Sequence, residues 1–461
     1  MRALLTAVLS LALVTGLAAQ QRESVALTVY NQGLGLVKDV RVLSLEEGRQ
    51  AVRFTDVAAQ IDPTSVRIVA LSDPNSVEVL EQNYQFDLVD RARLLQKYLG
   101  NEITLVRYDE DGQEIARDTA TLLAAEGGAV SVVKIGDEIV LNPGGVVELP
   151  ALPEGLIVEP TLLWDLRSTV SGPTLCEVSY MTSGISWQAD YVLVVNAADT
   201  GGDLNGWVTL TNDSGATYED AKLKLVAGDV SVQRPPMGMM GGYGGAAAGR
   251  EMGGFEQQEF FEYYLYSLPR PTTVRERETK QILLMAAPEI SLTKRFVFDP
   301  SEAWRYGGQD PDKKVAVKLE VENSEAQGLG RPLPQGRVRV FKADSDGALQ
   351  FVGEDRIGHT PKDETVRLYI GNAFDLVGEQ IHTNHQEMGP RNERDSFRVS
   401  LRNRKEDEAV EITYVGHFWA EWEILETSHE FKKIDARTAE WTVTVPAGEE
   451  VQIDYTVDRK W

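Results

Sequence analysis

Hydrophobic and polar positions alternate along most of this chain with a period of two, the spacing that sends apolar side chains to one face of a β-strand. Residues 25–45, VALTVYNQGLGLVKDVRVLSL, read as a strand, a glycine-marked bend and a second strand. GRQAVRFTDV and TSVRIVAL continue the pattern, and it returns in LCEVSYMT, WQADYVLVV, GWVTLTND and AKLKLVAGDV. In KKVAVKLEVEN, Val315, Val317, Leu319 and Val321 share a face, and GRVRVFKADSDGALQFVG predicts a hairpin about Asp346-Gly347. Near the C-terminus Trp441, Val443 and Val445 face one way, and Val451, Ile453, Tyr455 and Val457 face the same core. Short strands at intervals of ~8–12 residues, bounded by turn signals, predict immunoglobulin-like β-sandwich parts.

Two stretches break the alternation. DLVDRARLLQKYLG predicts one short helix near 87–99: Asp87 is its N-cap, Leu88, Ala92, Leu95 and Leu99 form its apolar face, and Gly100 ends it. Residues 100–155 then carry short strands cut by Asp-Gly, Gly-Gly and Asn-Pro, which reads as a small inserted β-barrel. The expected chain is therefore mainly β and multi-domain. It has a leader at 1–19, an N-terminal β domain at 20–99 ending in the helix, and the barrel at 100–155. A central β domain at 156–330 and a C-terminal β-sandwich at 331–461 follow.

The second break is PPMGMMGGYGGAAAGREMGG at 235–254, with eight glycines and four methionines. It holds too little apolar surface to offset its ordering entropy, so it is expected to be a mobile loop inside the central domain. Three roles stay open. It is a tolerated insertion, or an adaptable partner-binding loop using Met237, Met239, Met240 and Tyr243, or a cuprous site on those three methionines.

Composition narrows the setting. At 461 residues with 42% hydrophobic and 25% charged, the chain is long enough for several cores and too apolar for disorder. Arg2, an apolar run at 3–14 and small residues at 16 and 18 read as a secretory leader cut after Ala18 or Ala19. No cysteine follows that run, so a lipid anchor is not expected, and no later stretch reaches the ~20 apolar residues of a span. The expected location is periplasmic or secreted. A net charge of −25 opposes nucleic-acid binding and adsorption to anionic lipid. The one cysteine, Cys176, forms no internal disulfide and reads as a small buried residue.

Motifs for chemistry are sparse. GxSxG, GxxxxGK, HExxH and CxxC are absent, no cofactor is expected, and no residue stands out as nucleophile or base. Gly33 and Gly35 lack the third glycine of a dinucleotide fingerprint, because position 38 is Lys38. Asp109 and Asp111 read as a hairpin turn rather than calcium ligands. In IHTNHQE, His382 and His385 are candidate zinc or copper ligands, but i and i+3 on a strand point to opposite faces, so sharing a metal needs a turn or loop there. Arg270, Arg275, Arg277 and Lys280 concentrate cations in an acidic chain, either as an anion clamp or as partners for the chain's own acids. Trp419 and Trp422 are either sugar platforms or core residues.

Several segments taken together resemble a known family. VYNQGLGLVKDVR, LLQKYLGNEITLV, PTLLWDLRS, SYMTSGISWQADY, FFEYYLYSLPRPTTVRERETKQILLM and VPAGEEVQIDYTV are similar to the bacterial domain-of-unknown-function family 4139, of mucoidy-inhibitor-like type. The resemblance covers nearly all of the chain beyond the leader and implies an exported, β-rich bacterial protein. It assigns no catalytic residues. The N-terminal coiled-coil module of longer relatives has no counterpart here, which puts any role of that module in doubt. The leading expectation is a non-catalytic binding or scaffolding protein of the cell envelope, its partner an envelope protein or a glycan. The alternatives are an envelope enzyme, metal-assisted through HTNH, and a glycan-binding module.

Overall fold

The computed structural model describes residues 20–86, 88–153, 156–228, 230, 256–260, 263–302 and 313–461. The expected leader at 1–19, Asp87 and residues 235–254, expected as a loop and including Met237, Met239, Met240 and Tyr243, lie outside them. Among the described residues the fold is mostly β, 66% strand against 4% helix, arranged as five separate sheets with no closed barrel. No helix among the described residues is long and apolar enough to cross a membrane.

Alternation builds the first core. Arg22–Tyr30 and Leu34–Leu45 form an antiparallel hairpin through the Gly33 bend, and Val25, Leu27 and Val29 all turn inward. Gly33 takes the left-handed backbone of the bend at φ 80°, and Gly35 sits where a Cβ would meet Ile185 Cγ2 at 2.6 Å, so it permits close packing of the strand. Arg22–Tyr30 also pairs in parallel with Tyr218–Ala227, drawing distant segments into one eight-stranded sheet. That sheet shares one apolar core with a three-stranded sheet built on Thr161–Ser168. A five-stranded sheet built on Ile185–Val195 lines the same core. Cys176 is 1% exposed there, and burial pushes its thiol up to about 11.

The segment around 100–155 is a five-stranded sheet with Glu138–Leu141 at one edge and Val146–Glu148 at the other. It is an open sheet, not the expected barrel. The helix explains why: Leu95 and Tyr98 cover Ile103, Leu105, Leu122 and Val133, so the apolar face is buried without closure. The Asp109 carboxylate accepts from the backbone N–H of Asp111 and Gln113, at 3.0 and 2.7 Å, so it holds a turn. The helix itself is shorter than its pattern predicts, Arg91–Lys97, with Asp90 as its N-cap accepting from Arg93 N–H. Leu88 instead bridges to Ile157, while Ala92 and Leu99 are exposed, so the buried face is Leu95 and Tyr98. On either side Gln85 pairs with Thr161, so the chain leaves and re-enters the main body at one place.

Strand pairings run across residue 330. Thr293–Phe298 and Lys314–Glu322 join the nine-stranded C-terminal sheet, whereas the hairpin of Gly336–Ala343 and Leu349–Ile357 extends the central five-stranded sheet. The nine-stranded sheet folds over on itself. Thr438–Val445 and Glu450–Lys460 lie far apart in its strand order, yet the Trp441 and Tyr455 rings stack at 4.8 Å. Both strands therefore reach one core, as their alternation predicts.

Candidate functional site

The longest hairpin of the C-terminal sheet joins Thr365–Gly389 to Asn392–Asn403 through a two-residue turn at Pro390-Arg391. Counting back from that turn, His385 lies opposite Asp395, and His382 lies opposite Phe397. Thr383 is an extra residue, because the register shifts between His382 and Asn384. This β-bulge reverses the alternation once, so His382 and His385 face the same side despite their spacing of three. Asp395 and Phe397, two apart on the facing strand, face that side too.

The donor atoms of His382, His385 and Asp395 lie within 4.8 Å of one another. His382 Nε2 is 2.6 Å and His385 Nδ1 2.8 Å from the same oxygen, Asp395 Oδ1. The other oxygen, Oδ2, accepts from the Arg459 guanidinium, which is fixed in turn by Glu393 at 2.6 Å. Asp395 is fully buried, while both imidazoles are 46% exposed. Phe397 stacks on His382 at 4.7 Å, setting the plane of that ring. The hydrogen bond to Asp395 raises the pKa of His385, against a smaller effect of burial. Burial pushes Asp395 upward, but hydrogen bonds from His385 and Arg459 outweigh it and leave the carboxyl below its ordinary range. A set of two imidazoles and one carboxylate suits a first-row divalent ion.

Arg459 also borders a cavity of about 280 Å³ that reaches His417. There His417 Nε2 meets Asp299 Oδ2 at 2.9 Å, and Ser301 Oγ donates to Asp299 Oδ1 at 2.6 Å. The hydroxyl thus serves the carboxylate rather than the imidazole, so the nucleophile–base–carboxylate order of a catalytic triad is not made.

A larger cavity, about 570 Å³, lies on the central five-stranded sheet. Register places Ser186 and Gln188, Thr209 and Thr211, Arg337 and Arg356 on one face across four strands. Beneath them Asp190, 6% exposed, accepts from Thr209 Oγ1 at 2.7 Å, Gln188 Nε2 at 3.2 Å and the Arg337 guanidinium at 3.2 Å. Two buried polar atoms at this cavity, Arg337 Nε and Asn31 Oδ1, have no hydrogen-bond partner.

The other sequence candidates are placed as follows. Arg275 pairs with Glu278 at 3.7 Å, and Lys280 donates to Thr272 Oγ1 and to the Thr273 carbonyl. Arg277 sits in a turn at φ 56°, its backbone N–H donating to Asn212, and Arg270 is exposed. Two of the four cations are thus engaged by the chain's own acceptors. Trp422 is buried, its Nε1 donating to the Ala436 carbonyl at 2.8 Å. Trp419 is 48% exposed against Trp461, with Arg459 5.1 Å from its ring. Comparison with models of protein families finds no match, and comparison with curated proteins finds none either.

Proposed function

We propose that this chain is an exported, non-catalytic binding protein of the bacterial cell envelope whose ligand is a short glycan bearing an acidic group. Export rests on the leader-like N-terminus, and the envelope setting on the resemblance to family 4139. The observation that carries the binding reading is the polar cavity on the central sheet. Its volume suits a small ligand, about 300–1,000 Å³. Its wall of hydroxyls, amides and two guanidiniums suits a polyhydroxylated ligand, with the arginines matched to a carboxylate. The side chains stand on paired strands, which hold them more firmly than loops do.

The test is calorimetric titration of the purified full chain with oligogalacturonate and, as a neutral control, maltooligosaccharide. Saturable binding of the acidic sugar, weakened about tenfold by Arg356→Ala, supports the reading; that factor corresponds to roughly 1.4 kcal/mol, one charged hydrogen bond. Binding of neither sugar, or binding indifferent to Arg356, overturns it.

A further inference from the structure

The geometry points to a second site, independent of the glycan cavity: a divalent transition-metal centre of zinc class held by His382, His385 and Asp395. Two imidazole nitrogens aim at one carboxylate oxygen, where a simple charge pair needs only one. They do so because of the Thr383 bulge, without which strand parity sends one imidazole to the other face. The surroundings act as orienting partners do in metal sites. Arg459 holds Asp395 Oδ2 and leaves Oδ1 for the imidazoles, and Phe397 fixes the His382 ring.

The distances fit with small adjustment. Ligands about 2.1 Å from a tetrahedral zinc stand about 3.4 Å apart, so each His–Asp separation opens by roughly 0.7 Å. The half-exposed imidazoles have room to make that move, and their outer side leaves a coordination position for water or another ligand. The His417–Asp299 pair, with one imidazole and one carboxylate, is not a chelate and serves as the internal control.

The experiment is titration of untagged full chain, stripped with chelator, with zinc chloride followed by calorimetry and with cobalt(II) followed by visible absorption. One zinc per chain is expected. Loss of a ligand costs at least what loss of a ligand's orienting partner does, about 10–100-fold. His382→Ala and His385→Ala should each weaken zinc binding by that factor or more and abolish the cobalt spectrum, and His417→Ala should change neither. Unfolding midpoints are compared first. If an alanine variant is unstable, His382→Gln or His385→Gln, which keep size and polarity, replaces it. No saturable uptake at micromolar zinc, or an affinity that only one or neither histidine changes, overturns the shared centre.

Discussion

The phenol oxygens of Tyr414 and Tyr455 meet at 2.9 Å inside the C-terminal core, where the two residues are 1% and 3% exposed. Burial pushes both phenols well above their ordinary pKa, so both keep their protons and one hydroxyl donates to the other. Tyr455→Phe strands the Tyr414 hydroxyl and should cost about 1–3 kcal/mol in urea unfolding. The double phenylalanine variant should cost less than the two single variants added together, since it leaves no hydroxyl behind. Strict additivity would mean that the two hydroxyls do not depend on each other.

Asp199 joins two sheets. Its carboxylate meets Lys294 of Thr293–Phe298 at 2.8 Å and Lys342 of Gly336–Ala343 at 2.5 Å. Burial pushes its pKa up, but the two lysines outweigh burial and hold it below the ordinary 3.8. A carboxyl with a lowered folded pKa stabilises the fold above its unfolded pKa, and that stability is lost as pH falls through the folded value. Asp199→Asn should therefore lower the unfolding midpoint at pH 7, with the difference from wild type closing below about pH 4. Asparagine tolerates the left-handed backbone at this position, φ 59°, so the substitution isolates the charge. A gap that persists undiminished at pH 2 would refute the electrostatic account.

Removing the bulge separates register from chemistry. Deleting Thr383 keeps every ligand in the sequence and leaves His382 and His385 two apart, the spacing that plain alternation places on one face, so the site should survive without the bulge. The deletion variant should stay folded, with circular dichroism unchanged, and bind zinc with an affinity near that of wild type. Zinc binding as weak as that of His382→Ala in this variant would show that placing the histidines on one face is not enough to build the site.

Cys176 should not react with Ellman's reagent in the native protein, being buried and with a thiol pushed up to about 11. Labelling should instead track unfolding and yield one thiol per chain across a urea series. Fast labelling without urea would show that the first core opens locally at Leu34–Leu45 and its neighbours.

Much of the β architecture is legible as alternation, as in Ile453, Tyr455 and Val457, whose inward positions follow from spacing alone. The helix boundary is less so. Leu88 satisfies a helical period, but pairing with Ile157 claims it, and a tertiary partner outweighs a weak local preference. The histidine site is half legible. The residue types are plain in IHTNHQE, yet the bulge carries no glycine or proline to announce it. Asp395 takes more than counting: a turn at Pro390-Arg391 pairs Gly389 with Asn392, but a second register shift at Met388 intervenes, and plain counting would set Gln386, not His385, opposite Asp395. Arg459 was out of reach, because pairing between Asn392–Asn403 and Glu450–Lys460 is set by no local signal. The polar cavity likewise draws on strands more than a hundred residues apart, whose register only the folded chain displays.

The parallel pair between Arg22–Tyr30 and Tyr218–Ala227 sets a timetable for synthesis. The first strand finds Leu34–Leu45 at once, but its other edge waits for a partner made about 190 residues later. At synthesis rates of roughly 5–20 residues per second, that wait is roughly 10–40 s. For that interval a row of unpaired backbone groups flanks Val25, Leu27 and Val29, an invitation to the same strand of a neighbouring nascent chain. Whatever escorts this chain during those seconds must cover that edge, and must let go when Tyr218–Ala227 arrives.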